Sequence, residues 1–171
     1  MLFCVVLPAE RQGSESRIGK LVSERIGTEL VLPAGRVCRN GRNIPNDAFS
    51  NNRAKIVVYI NGECISCIDQ FARWNEKWED FTRSGKVSIL IFVRTQDEKE
   101  LERYMADIGF SHPFFIDPKG DLLFENNIPY DKPLLHTFLL DRNNRVVLVG
   151  SPLGNPKLES LYKREISRLS D

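Results

Sequence analysis

The chain has 171 residues, 42% hydrophobic and 27% charged, with 24 basic against 23 acidic side chains. That length suits one domain of ordinary size plus an added segment, and the apolar content supports a packed core, which excludes a chain disordered by composition. A net charge of +1 gives no basic surplus of the kind that nucleic acid or an anionic membrane surface selects, so neither is expected as a partner. Charged runs such as Asp97-Glu98-Lys99-Glu100 read as solvated helix faces.

The first residues, Met1 to Ala9, form a short apolar stretch. It is too short to span a bilayer, which takes ~20 apolar residues, and it lacks the basic start of a secretory signal. Two readings stay open: the remnant of an export signal, or a terminus that packs on the domain or is disordered. Under the first, membrane attachment would run through the lost signal or a lipidated Cys4, although Leu2 and Phe3 are not the small residues such a site prefers. Residues 1–14 are set apart on this ground.

Residues 15–54 form an N-terminal extension and loop. Ser14 to Ile26 predicts a helix with Ile18, Leu21, Val22 and Ile26 on one side. Thr28 to Leu32 predicts a strand, stopped by Pro33-Ala34-Gly35. Residues 36–54 lack a period and read as a connecting loop, with one short strand around Val37-Cys38.

The main domain covers residues 55–171. Lys55 to Ile60 is an almost continuous apolar run, as in a strand buried on both faces. From Ile65 to Arg83 the residues Ile68, Phe71, Trp74, Trp78 and Phe81 recur at steps of three and four, a helix stripe ended by Ser84-Gly85. Trp74 and Trp78 read as packing residues of that stripe. Val87 to Val93 is a second buried strand. Asp97 caps a helix that runs to Ile108 and stops at Gly109. Pro113 to Ile116 is a short strand before the turn Asp117-Pro118-Lys119-Gly120. Leu134–Leu140 and Arg145–Val149 flank Asp141-Arg142-Asn143-Asn144, the signature of a hairpin. Pro156 stands in the first turn of a last helix carrying Leu158, Leu161, Tyr162 and Ile166.

Cys64-Ile65-Ser66-Cys67 falls between the first buried strand and the first long helix. A helix N-terminus offers free N–H groups and partial positive charge, which stabilise a thiolate. Cys4, Cys38, His112 and His136 are isolated in sequence and share no metal-ligand spacing.

The order strand, CxxC helix, strand, helix, short strand, hairpin, helix resembles the thioredoxin-like fold over about residues 55–169. Thr137-Phe138-Leu139-Leu140-Asp141 with Arg145-Val146-Val147 is similar to the hairpin of bacterial envelope thioredoxin-like proteins, and Gly27 to Pro33 to the extension they add before the core. The resemblance implies an α/β fold: a mixed sheet with helices on both faces, preceded by an N-terminal extension. It implies a redox-active Cys64–Cys67 disulfide, with Cys64 as nucleophile and Cys67 as resolving thiol. The expected activity is protein disulfide reduction or isomerisation without a bound cofactor. The implied partners are protein disulfides and an unidentified redox partner. The implied location is the bacterial periplasm or cell envelope, with the cytoplasm as the alternative.

Glu63, Ile65, Ser66, Leu135 and His136 are the candidate neighbours of the cysteines. Glu63 stands where the family carries Trp, and its carboxylate opposes a Cys64 thiolate. Alignment on Phe138 puts Leu135 at the position of the family's cis-proline; Pro133 lies two residues earlier. His136 follows, and an imidazolium there would favour the Cys64 thiolate. Tyr59 is expected to pack under the helix. Two other readings are kept: a non-catalytic binding module in which the disulfide is structural, and a dithiol metal carrier. Zinc would need two further ligands, so no metal site is assigned. Nothing before either cysteine matches the peroxiredoxin motif Pro-x-x-x-Thr-x-x-Cys.

Overall fold

A computed structural model describes residues 9–34, 36–39, 42–44 and 52–170. Cys4 lies outside them. The chain runs α1 (Ala9–Arg25), β1 (Arg36–Arg39), β2 (Arg42–Ile44), β3 (Ala54–Asn61), α2 (Ile65–Ile68) and α3 (Gln70–Thr82). It continues with β4 (Val87–Arg94), α4 (Glu98–Asp107), β5 (Phe114–Ile116), α5 (Asp121–Glu125), β6 (Thr137–Asp141), β7 (Val146–Val149) and α6 (Pro156–Ser170). Among the described residues the strands form one sheet in the order β2-β1-β5-β4-β3-β6-β7.

The alternation of side chains along β3 builds two cores. Ala54, Ile56, Val58 and Ile60 face one side, where Phe71, Trp74, Trp78 and Phe81 of α3 and Tyr162 and Ile166 of α6 cover them. Val57 and Tyr59 face the other side, with Leu122 and Leu123 of α5 and Leu21 and Val22 of α1. β3, β4 and β5 pair in parallel. Parallel neighbours need crossovers, and α3 and α4 supply them on the same face because the strand order advances in one direction.

The local signals hold at several ends. The Asp97 carboxylate accepts from the Glu100 N–H at 2.9 Å, and Asn155 accepts from the Leu158 N–H at 3.1 Å at the start of α6. Gly109 (φ 64°) takes the left-handed conformation that stops α4. In the hairpin, Asp141 Oδ1 accepts from the Asn143 and Arg145 N–H groups at 2.8 and 2.9 Å.

Four expectations are corrected, and one helix is added. Thr28–Leu32 is not a strand but a single bridge, Glu29 to Arg145. Its backbone still meets the last hairpin, with the Leu30 N–H donating to the Asn144 carbonyl at 2.8 Å and the Thr28 carbonyl accepting from the Val146 N–H at 2.9 Å, while Asn126, 7% exposed, bonds both the N–H and the carbonyl of Val31. The short strand expected around Val37-Cys38 is β1, but the loop expected around it also holds β2, which makes a hairpin with β1, and β1 pairs antiparallel with β5. β5 would otherwise expose an open ladder edge, so pairing rather than local propensity makes β1 a strand. The long helix from Ile65 is interrupted at Asp69, which keeps right-handed dihedrals (φ −58°, ψ −18°), so the break is one residue long. α5 was not anticipated; the buried Asp117 carboxylate holds its first turn, accepting from the Asp121 and Leu122 N–H groups at 2.8 and 3.1 Å. The strand expected from Leu134 starts only at Thr137, because Pro133–Leu135 is a 3-10 turn.

Candidate active site

β3 and β4 end side by side, with Asn61 opposite Arg94. Crevices beyond the carboxyl ends of parallel strands are where α/β sheets place their sites. The CxxC turn leaves β3 at that edge. The Gly62 N–H donates to the Arg94 carbonyl at 2.7 Å. A Cβ on Gly62 would sit 2.8 Å from that same oxygen, so glycine is required by close backbone approach.

Cys64 is the N-cap of α2, with extended dihedrals (φ −113°, ψ 110°). Its carbonyl accepts from the Cys67 and Ile68 N–H groups at 2.9 and 3.0 Å. This first turn brings the two Cα atoms to 5.1 Å, and the sulfurs are joined as a disulfide. Both cysteines are half-buried. The Ser66 hydroxyl lies 3.3 Å from Cys64 Sγ. Ile65 between them is 85% exposed, so the turn presents an apolar side chain to solvent next to its sulfurs.

Two concavities flank this turn. One, of about 430 Å³, is lined by Glu63, Ile65, Ile68, Asp69, Asp97 and Glu100 among others. The other, of about 140 Å³, is lined by Tyr59, Asn61, Cys67, Gln70, Tyr130, Pro133 and His136. Thus Glu63 and Ile65 border one hollow, while His136 shares the other with Cys67. Leu135 is 2% exposed and packs in the core with Tyr59 and Phe138. Its neighbours Pro133 and His136 are the residues of that segment that line the cavity. No peptide bond among the described residues is cis.

Arg94, Tyr130 and Asn61 were not singled out from the sequence. Arg94 loses hydration on partial burial, which opposes its charge, yet Glu63, Tyr59 and Tyr130 hold its pKa above the ordinary value. Its guanidinium stands 5.8 Å from the Tyr130 ring centroid. Glu63, the residue before Cys64, thus acts electrostatically on Arg94. The usable signal was that Arg94 ends a buried strand parallel to the one that carries the CxxC turn.

Tyr59, expected under the helix, is instead buried on the sheet face opposite α3, and its hydroxyl has no hydrogen-bond partner among the described residues. Burial pushes its pKa up to about 12. His136 is 9% exposed, and its ring meets Tyr59 edge-on at 5.2 Å. Burial pulls the imidazole below its ordinary value of 6.5, against the Pro129 carbonyl and Asp131, which favour the proton. The unfolded chain therefore binds more protons than the folded one between the lowered pKa and about 6.5. Stability should rise with pH across that window and be complete above it. Urea unfolding measured from about pH 5 to about pH 8 should show this rise in the wild type and a flatter profile in His136→Gln.

His112 stacks on Trp78, ring centroids 4.0 Å apart, and Cys38 is buried as a free thiol on β1. Among the described residues no three or more His, Cys, Asp or Glu side chains gather as metal ligands. No described helix is long and apolar enough to cross a membrane.

Sheet order, crossovers and the CxxC turn at the carboxyl edge define a thioredoxin-like fold carrying a Cys64–Cys67 disulfide. The comparisons with known proteins reach the same fold. A candidate protein disulfide isomerase from Bacteroides thetaiotaomicron superposes with a TM-score of 0.63 at 14% identity, covering 86% of this chain and 91% of its own. A secreted thiol-disulfide isomerase from Corynebacterium glutamicum gives 0.61 at 14% identity, covering 81% and 85%. A candidate thiol:disulfide interchange protein DsbE from Chlorobium tepidum gives 0.60 at 14% identity, covering 84% and 99%. No family model and no curated protein matches the sequence.

Proposed function

We propose that this protein is a thiol–disulfide oxidoreductase that reduces or isomerises disulfides of other proteins. The observation that carries the reading is the placement of the Cys64–Cys67 disulfide in the half-buried first turn of α2, with Cys64 as N-cap. Reduced, Cys64 attacks a partner disulfide as a thiolate and forms a mixed disulfide; Cys67, one turn on, attacks Cys64 and releases the reduced partner. The cell envelope is the proposed location, supported by likeness to a secreted isomerase.

The test is the reduction potential of the pair together with insulin reduction by the wild type and Cys64→Ser. The wild type should reduce insulin, and Cys64→Ser should fall to background. A potential below about −300 mV with no turnover would identify a structural bridge and sink the proposal. Stoichiometric metal retained by the wild type and lost when both cysteines become serine would favour a metal carrier instead.

A further inference from the structure

We infer that His136 accepts the proton of Cys67 when the mixed disulfide is resolved; this rests on the exchange reaction proposed above. Cys67 and His136 line one cavity of about 140 Å³, room for a few waters to relay a proton. Between Pro133 and β3, the His136 N–H donates to the Pro133 carbonyl at 3.1 Å, and its carbonyl accepts from the Tyr59 N–H at 2.8 Å.

The tautomer follows from one contact. His136 Nε2 lies 3.0 Å from the Pro129 carbonyl oxygen. A carbonyl can only accept, so Nε2 carries the hydrogen, and a neutral ring keeps its lone pair on Nδ1. Burial favours the neutral ring at neutral pH. The groups around it are Tyr59 from β3, Tyr130 and Asp131 from the segment after α5, and Cys67 from α2. Asp131 favours the imidazolium. Arg94, over the Tyr130 ring, brings positive charge to the same neighbourhood. A base with a depressed pKa is unprotonated before it acts, which is what a proton acceptor requires.

Cys64 Sγ is bonded to the partner's sulfur. The Cys67 thiol gives its proton across the cavity to Nδ1, and its sulfur attacks Cys64 Sγ. The Cys64–Cys67 bond forms as the Cys64–partner bond breaks. The partner leaves as a thiolate and takes a proton from solvent, to which His136 returns its own. The dithiol has been oxidised and the partner disulfide reduced by two electrons.

Single-turnover reduction of dithionitrobenzoate separates the two attacks, because one coloured thiolate leaves at each. In His136→Ala the first release should keep the wild-type rate, and the second should slow about 100-fold, within the range for a lost general base. Added imidazole should restore the second release. Its rate should climb with pH through the titration of Cys67 itself, instead of levelling off near neutrality as in the wild type. His136→Gln, which retains an amide donor for the Pro129 carbonyl, should show the same selective loss and guards against a folding defect. A second release at the wild-type rate and pH profile in both variants overturns the role of His136 alone. Equal slowing of both releases without imidazole rescue marks a structural role and overturns it too. A wild type that releases no thiolate removes the proposed exchange reaction and this role with it.

Discussion

Cys67→Ser is expected to stop at the mixed disulfide. Cys64 would still attack a substrate disulfide, since its N-cap position in α2 does not depend on the second sulfur. A serine hydroxyl cannot displace the partner from Cys64, so one equivalent of substrate stays covalently attached and turnover falls to the uncatalysed background. Intact-mass measurement of the trapped adduct, with its loss on adding dithiothreitol, is the check. Cys64→Ser should give no adduct under the same conditions. The asymmetry between the two variants is the informative result: a purely structural bridge predicts equal, modest loss of stability in both and no adduct in either. An adduct formed through Cys67 in Cys64→Ser would reverse the assigned roles.

The second large effect is on stability. Trp74 is completely buried on α3, 6.0 Å from the Phe81 ring and among the side chains that cover β3. Trp74→Ala should destabilise the fold by about 3–5 kcal/mol, the range for emptying an aromatic core site. Against a total of about 5–15 kcal/mol, that is enough to leave a sizeable unfolded population. Trp74 Nε1 has no hydrogen-bond partner among the described residues, so Trp74→Phe loses volume and contacts but no hydrogen bond. It should cost clearly less, and chemical denaturation of both variants checks the order. A Phe variant as damaged as the Ala variant would show that the indole N–H is satisfied by water or by a group outside the described residues.

Much of the scaffold was legible from local chemistry. The period of Phe71, Trp74, Trp78 and Phe81 predicted the buried face of α3, and all four are buried there. The apolar runs at β3 and β4 predicted strands covered on both faces, and each is buried in seven of eight positions. Asp97 as a cap and Gly109 as a stop were readable because a short side chain or a missing Cβ acts on its own backbone within a turn. The β1–β2 hairpin was not readable in the same way. Val37-Cys38 reads as a short strand, but its partners do not: Arg36–Arg39 pairs with the edge of β5, more than seventy residues later. Asn126, which ties down Val31 from 95 residues away, is equally silent in the sequence.

The surroundings of the two cysteines divide along the same line. The sequence by itself determined the CxxC turn and its place between a buried strand and the start of a long helix. These depend on residues within a few positions of one another. Only the tertiary structure decided which groups meet the sulfurs. Parallel register sets Asn61 opposite Arg94, and the β3–β6 pairing, extended by the Tyr59–His136 backbone bond, brings His136 into the cavity of Cys67. The Pro133–Leu135 turn sends Leu135 into the core and leaves Pro133 and His136 at the cavity. Such contacts follow from strand order and register, which are settled by burying whole faces of the sheet at once, and no short stretch of residues carries that information.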